Sequence, residues 1–153
     1  MTRVDFYLLS AAAGNRIAAV CRLCDKAVSA GHRLYVRAPD AGVAEEMDGA
    51  LWSFRQGGFI AHEKHTGAAI EEPQPPVLIG ALEPPASHRG ILINLGEDVP
   101  TWFSSFERVL EVVPEDETAK AKSRDRFRFY RERGYELKTF EQNAEGGWQA
   151  RGG

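Results

Sequence analysis

The spacing of apolar and polar positions changes twice within the first quarter of the chain. Residues 4–9 and 32–37 are short, largely apolar runs of the kind that forms strands. Between them, residues 11–30 are rich in alanine, and their larger apolar side chains recur at helical spacing. These side chains are Ile17, Val20, Cys21, Cys24 and Val28. Gly31 follows at the position favoured after a helix C-terminus, so the pattern predicts a βαβ unit with a right-handed crossover, and therefore a parallel sheet.

The alternation continues through the rest of the sequence. Residues 40–53 predict a second helix, and the apolar runs at 76–80 and 90–95, bounded by proline and glycine, are typical of buried parallel strands. Residues 106–113 predict a further strand and residues 135–140 a closing strand. This order of elements predicts an α/β fold, a three-layer Rossmann-like domain with a mainly parallel central sheet.

The segments outside these elements set the expected boundaries. Gln56, Gly57 and Gly58 predict a turn, and the charged, proline-rich residues 63–76 predict a loop. We expect a single α/β domain over residues 1–141 and a disordered, glycine-rich tail over residues 142–153.

Composition is that of an ordinary globular protein. The chain has 153 residues, of which 43% are hydrophobic and 27% charged, enough for one domain with a hydrophobic core. It has no apolar run near the ~18 residues of a membrane span, and the strand-like start argues against a signal peptide. Only two cysteines are present, which favours a reducing, cytoplasmic compartment.

One segment departs from the acidic average. The whole chain carries a net charge of −3, yet residues 120–134 are strongly basic and aromatic. The acids Glu115, Asp116 and Glu117 precede them, where a helix dipole favours negative charge. We therefore expect the last helix to be a cationic helix on an acidic protein, facing phosphate, an acidic peptide or only solvent.

Helical angles divide this helix into sides, at about 100° per residue. One side is expected to contact the core, and it comprises Ala119, Ser123, Phe127, Tyr130 and Gly134. A cationic ridge borders it, formed by Lys120, Arg124 and Arg131. The opposite flank is expected to be a solvated face, and it comprises Lys122, Arg126, Phe129 and Arg133. A cationic ridge beside an apolar side suits an acidic peptide that ends in an aromatic residue, although a solvated basic face remains the alternative.

The sequence gives little support to an enzyme. Residues 10–16, after the first strand, contain one glycine and no phosphate-binding motif, so they are poorly suited to a nucleotide. No nucleophile motif is present, and we predict no catalytic residues and no cofactor. A small nucleotide-dependent enzyme on a Rossmann-like fold is the alternative function. Direct binding of nucleic acid by the basic helix is a third, disfavoured by the acidic net charge.

The cysteine and histidine spacings invite a zinc hypothesis. Cys21 and Cys24 are separated by two residues, as are His62 and His65, and four such ligands suit tetrahedral zinc. Both cysteines, however, fall on the apolar stripe of the first helix. We therefore predict core cysteines and no metal site.

An aromatic group surrounds the predicted Gly-Gly turn. Its members are Trp52, Phe54 and Phe59. They suit either core packing or an exposed patch for a partner protein.

Seven segments together resemble the chi subunit of bacterial DNA polymerase III, the HolC family. They are VDFY at 4–7, LWSFR at 51–55, FIAH at 59–62, ILINL at 91–95, VP at 99–100, FERVLEVV at 106–113 and RDRFRFYRERGY at 124–135. The resemblance spans residues 3–141. It implies a Rossmann-like fold without nucleotide-binding glycines, and a non-catalytic accessory subunit of the clamp-loader complex in DNA replication.

The same resemblance implies two partners. One is the acidic C-terminal tail of single-stranded DNA-binding protein (SSB), which ends in Pro-Phe. The other is the psi subunit, which tethers chi to the clamp loader. No membrane partner and no sequence-specific contact with nucleic acid are implied.

Residue by residue, the resemblance implies a tail site and a psi site. The tail site would comprise Val113, Lys120, Arg124, Phe127, Arg128 and Arg131. In it, Arg124 would hold the terminal carboxylate, and Val113 and Phe127 would line a slot for the final Phe. Family members often have Tyr where Phe127 stands; a phenylalanine at this position keeps the stacking surface but has no hydroxyl group for a hydrogen bond. The psi site would use Trp52 and Phe59.

Overall fold

A computed structural model of the chain describes residues 2–11, 15–54, 60–67 and 73–151. These residues form one sheet with helices on both faces. The strands are β1 Arg3–Leu8, β2 Leu34–Arg37, β3 His62–Lys64, β4 Val77–Gly80, β5 Ile91–Asn94, β6 Arg108–Val113, β7 Glu136–Gln142 and β8 Trp148–Ala150. The helices are α1 Arg16–Ser29, α2 Ala41–Ser53 and α3 Glu117–Glu132. The elements confirm the predicted α/β class.

The sheet has the order β3-β4-β2-β5-β6-β1-β7-β8. Every neighbouring pair is parallel except β7 and β8, which confirms the mainly parallel sheet. The first two strands are not neighbours, because β5 and β6 lie between them. Strand β1 is instead flanked by β6 and β7, with Leu8 opposite Val113 on one side and Glu141 on the other.

Two apolar clusters on opposite faces of the sheet complete the three layers. Helices α1 and α2 pack on one face, where Val20 and Met47 are buried with Val36 and Ile93. Helix α3 packs on the other face, where Tyr130 is buried against Phe6 and other strand residues. Because strand side chains alternate between faces, the apolar runs predicted as buried strands supply both clusters.

Side-chain caps set where each helix begins. The side chains of Asn15, Asp40 and Asp116 accept hydrogen bonds from the backbone N–H groups three residues on. Helix α1 therefore begins at Arg16, not at residue 11 as the alanine-rich pattern predicts, because the capping asparagine fixes the start. Gly31 follows that helix with φ at +90°, in agreement with its predicted place after the C-terminus.

Two segments differ from their predictions. The expected loop at 63–76 begins inside strand β3, a short edge strand whose polar residues give no apolar signal. Within residues 142–153, where we expected a disordered tail, β8 pairs antiparallel with the end of β7 and forms a hairpin with it. The predicted turn at 56–58 and Gly14, the single glycine of the first loop, lie outside the described residues.

The cysteines lie in the core. Cys21 and Cys24 are 1% and 0% exposed, which confirms their predicted place on the buried face of α1. Burial raises the pKa of the Cys21 thiol to about 11 and that of Cys24 further, so both thiols are neutral at physiological pH. The Nε2 atom of His62 lies 3.2 Å from a carboxylate oxygen of Asp48. Across the described part of the chain, no three His, Cys, Asp or Glu side chains are grouped to hold a metal ion.

The helices are also unsuited to a bilayer. Among the described residues, none of the three is both long and apolar enough to cross a membrane.

Candidate functional site

A cleft of about 1140 Å³ opens between α3 and β7. Its position follows from the topology, because α3 joins β6 to β7 and therefore lies across β1, the strand between them. Phe6 and Leu8 of β1 line the cleft beneath α3, and Leu137 and Thr139 line it from β7. The cleft thus has an apolar floor, with a helix on one side and a sheet edge on the other.

The structure brings together all six residues of the expected tail site. The cleft is lined by Val113, Lys120, Arg124, Phe127, Arg128 and Arg131. Five of them belong to α3, where spacings of three and four residues place them along one side of the helix. The sixth, Val113, is the last residue of β6, one short loop before the helix begins.

The apolar members differ in how much surface they offer. The Phe127 ring is half-buried and packs edge-on against Phe6, with ring centroids 5.3 Å apart. Val113 is only 1% exposed. Phe127 therefore provides the aromatic contact, whereas Phe6, which is 2% exposed, supports its ring from behind and Val113 shapes the floor from below.

The cations on α3 differ in their partners. The Lys120 ammonium lies 3.5 Å from Glu115 and 3.9 Å from Glu117. Arg128 lies 3.5 Å from the exposed Asp125, one turn away. Arg124 and Arg131 are exposed, and neither forms an ion pair within the described residues. These two guanidinium groups are therefore the least compensated charges of the ridge.

The opposite side of the cleft was missed by sequence reasoning. It includes Thr139 and Glu141 of β7, and Ala150 and Arg151 of the C-terminal hairpin. The amide N–H of Ser10 donates a hydrogen bond of 3.1 Å to the Gln142 side chain, which ties the end of β1 to this hairpin. Alternating polarity in residues 136–142 was the available signal, but the glycines that follow suggested a frayed end.

The prediction that Arg126 lies on a solvated flank is wrong. Arg126 is 8% exposed, and its Nε donates a 2.9 Å hydrogen bond to the fully buried carboxylate of Glu111 in β6. Its Nη1 also donates to the backbone carbonyl of Glu97 at 3.0 Å. The helix is turned so that this guanidinium, and not only the apolar side, faces the sheet.

Glu111 is the centre of a buried polar group. Its Oε2 accepts hydrogen bonds from the Tyr130 hydroxyl at 2.8 Å and from the Asn94 amide at 3.0 Å. Burial raises the pKa of Glu111, against the opposing attraction of Arg126 and these hydrogen bonds. Burial also raises the pKa of the Tyr130 hydroxyl, with the Glu111 charge adding to the shift. These contacts fix the rotation of α3 and thereby the direction in which the cationic ridge faces.

Of the other residues on this flank, Lys122 and Arg133 lie on the surface as expected, whereas Phe129 is half-buried and packs edge-on against Phe103. Arg133 is exposed, and its guanidinium lies 3.6 Å from the centre of the Phe129 ring. Lys122 pairs with Glu97 at 2.6 Å on the surface. Neither residue lines the cleft, so both serve as charge-matched references for residues that do.

The aromatic residues around the predicted turn do not form one packed group. Trp52, at the end of α2, is 61% exposed, and its ring lies edge-on to His62 with centroids 5.0 Å apart. Phe54 is half-buried and packs against the core on the α1 and α2 face. Phe59 lies outside the described residues.

Comparison with known proteins identifies the family. The sequence matches the family model for the DNA polymerase III chi subunit, HolC, over residues 1–138. The chain belongs to this family. It is 44% identical over 138 residues to the DNA polymerase III subunit chi of Pseudomonas aeruginosa, covering 90% of this chain and 94% of that protein.

More distant relatives support the same family assignment. The DNA polymerase III subunit chi of Haemophilus influenzae is 27% identical over 119 residues, covering 78% of this chain and 82% of that protein. The Escherichia coli subunit chi is 27% identical over 120 residues, covering 78% of this chain and 81% of that protein.

Proposed function

We propose that this chain is a non-catalytic adaptor of the DNA polymerase III holoenzyme in the bacterial cytoplasm. It links the clamp-loader complex to SSB by binding the acidic C-terminal tail of SSB. The observation that supports this role is the meeting of all six expected tail-binding residues in one cleft.

The chemistry of the cleft suits an acidic peptide with an aromatic end. Arg124 is exposed beside the half-buried Phe127, so it is placed to take the terminal carboxylate in a bidentate pair while the final Phe side chain packs on Phe127. Phe6 and Leu8 extend the apolar surface beneath. Lys120, Arg128 and Arg131 lie on the same side of α3, where they attract the acidic residues that precede the Pro-Phe end.

A pull-down with SSB tests this function. Immobilised chain is expected to retain full-length SSB and to lose it when the last few residues of SSB are removed, because the cleft binds only the tail. The truncated SSB must still bind single-stranded DNA, which shows that it is folded. Equal retention of both forms would contradict the proposal.

A second surface is proposed for psi, at Trp52 and Phe59. The support is a tryptophan that is more than half exposed at the end of α2, since large exposed aromatic residues are favoured interface anchors.

Trp52→Ala is expected to reduce co-purification with co-expressed psi at least about tenfold, the effect of losing an interface anchor of ~1.4 kcal/mol or more. Binding of the SSB tail should not change, because Trp52 does not line the cleft. Undiminished recovery of psi with the variant would exclude Trp52 from that interface.

A further inference from the structure

The family match ends at residue 138, but the cleft does not. Beyond that point, the rest of β7, a tight turn and β8 continue the sheet by one antiparallel strand. Glu141, Ala150 and Arg151 of this segment line the cleft that α3 borders on its other side. The C-terminal hairpin is therefore a wall of the site that lies outside the matched part of the family.

Strand alternation fixes which way this wall faces. Leu137 packs with the cluster beneath α3, so Thr139 and Glu141, two and four residues later, share its face. Phe140 lies opposite Ala150, which places the next residue, Arg151, beside Thr139. The Arg151 amide donates to the Thr139 carbonyl at 2.8 Å, and its Nε lies 3.1 Å from a Glu141 carboxylate oxygen. The Arg151 side chain thus lies on the same side of the sheet as α3.

The hairpin is held by specific contacts. The Asn143 side-chain oxygen accepts hydrogen bonds from the amides of Glu145 at 3.1 Å and Gly147 at 2.8 Å, which closes the turn. Gly146 has φ at +88°, a conformation that glycine adopts without strain. Trp148 packs edge-on against Tyr7, with ring centroids 5.1 Å apart. Arg151 is therefore displayed from an ordered strand pair anchored to the core.

The charge of the cleft is strongly unbalanced. Among its described lining residues, cations outnumber carboxylates by six to two, and only Glu115 and Glu141 are acidic. The Arg151 Nε lies 3.1 Å from a carboxylate oxygen of Glu141. The two Nη groups of Arg151 donate no hydrogen bond within the described residues, so they are available to a second carboxylate.

We propose that the hairpin over residues 143–151 is a second binding wall on which Arg151 binds side-chain carboxylates of the acidic peptide, upstream of its aromatic end. The proposal rests on the proposed function, in which Arg124 on the opposite wall takes the terminal carboxylate. Glu141 orients the Arg151 guanidinium in the free protein and repels the acidic peptide. Arg151 consequently selects for the acidic content of the peptide, whereas Arg124 and Phe127 select for its end.

Two peptides of equal length separate these roles in a calorimetric titration. Both end in Pro-Phe with a free carboxylate; four Asp residues precede this end in one and four Asn residues in the other. Arg151→Ala is expected to lower the affinity for the Asp peptide about two- to fivefold, the range for a partly exposed ion pair. Its affinity for the Asn peptide is expected to stay unchanged. Glu141→Gln is expected to raise the affinity for the Asp peptide. A purely structural role of the Arg151–Glu141 pair would not produce this increase.

The remaining outcomes distinguish this inference from the function on which it rests. Arg124→Ala should lower the affinity for both peptides. Arg133→Ala, which removes an arginine outside the cleft, should lower the affinity for neither. If the unmodified protein binds neither peptide, the proposed function fails and the inference with it. If it binds both, but Arg151→Ala either changes nothing or weakens both equally, the function stands and the role of Arg151 is overturned. Thermal unfolding of each variant verifies that the hairpin substitutions leave the domain folded.

Discussion

Arg124→Ala will weaken binding of an acidic peptide ending in Pro-Phe about thirtyfold, or ~2 kcal/mol, the value of a charge-assisted bidentate pair. The fold will not change, because Arg124 is exposed and forms no ion pair within the described residues. Calorimetric titration of the peptide into the variant measures the loss. Unfolding in urea verifies that stability is unaltered.

Two further variants make this test specific. Arg133→Ala removes the same charge from the same helix outside the cleft, so it should leave the affinity within about twofold, the effect of screened surface charge. Arg124→Lys keeps the charge but loses the planar fork, so it should bind with intermediate affinity. An Arg124→Ala protein that binds as tightly as the unmodified chain would remove Arg124 from the site.

Arg126→Met will lower the free energy of unfolding by about 3–5 kcal/mol, because it leaves a buried carboxylate without its counter-charge. Glu111 is fully buried, and Arg126 is its cationic partner at 2.9 Å. Methionine retains much of the length of the side chain, so the loss reports the charge rather than a cavity. Urea unfolding measures it, with Arg133→Met as the exposed reference, expected to change stability by less than ~0.5 kcal/mol.

The pH dependence of this variant has a definite sign. Burial raises the pKa of Glu111, and Arg126 opposes that rise, so removing Arg126 raises the pKa further. A carboxyl group with a raised pKa in the folded state keeps a proton that the unfolded chain has released. The stability deficit of Arg126→Met is therefore smallest below the ordinary pKa of glutamate, grows as the pH rises from that pKa to the raised one, and levels off above it.

A double variant tests the cause. Arg126→Met combined with Glu111→Gln buries no charge and keeps an amide that can still bond with Tyr130 and Asn94. It should be more stable than Arg126→Met alone at neutral pH and should lack its pH dependence. Equal instability of the two proteins at every pH would show that packing, and not the buried charge, is responsible.

The cationic ridge was predictable from sequence because two independent signals coincide on α3. The helical period places Lys120, Arg124 and Arg131 together, and the resemblance assigns them a ligand. Side chains that point away from the core keep their relative positions whatever the details of packing. The structure then shows which elements lie opposite the cationic ridge, on the other side of β1.

Arg126 was not predictable from its own surroundings. It stands among basic residues that are exposed, and a helix-angle argument places it with them. Its partner gives the better signal, since Glu111 is a single acid inside the apolar run of β6. A carboxylate in a strand buried on both faces requires a donor, but only the tertiary structure identifies which cation supplies it.

The hairpin was missed because its local signals conflict. Gly146 and Gly147 reduce any tendency to form regular structure, and β8 has only three residues. What orders it is the long-range contact of Trp148 with Tyr7 in the first strand. Contacts between the two ends of a sequence are invisible to pattern analysis of either end.

The central place of β1 also has a consequence for biosynthesis. The floor of the cleft comes from the first strand, whereas its walls come from α3, β7 and β8, which are synthesised long after that strand. Strand pairings between segments so distant along the chain form late and slowly during folding. A nascent chain therefore holds β1 without either neighbour until β6 and β7 have been made, and the cleft is complete only after β8 has followed.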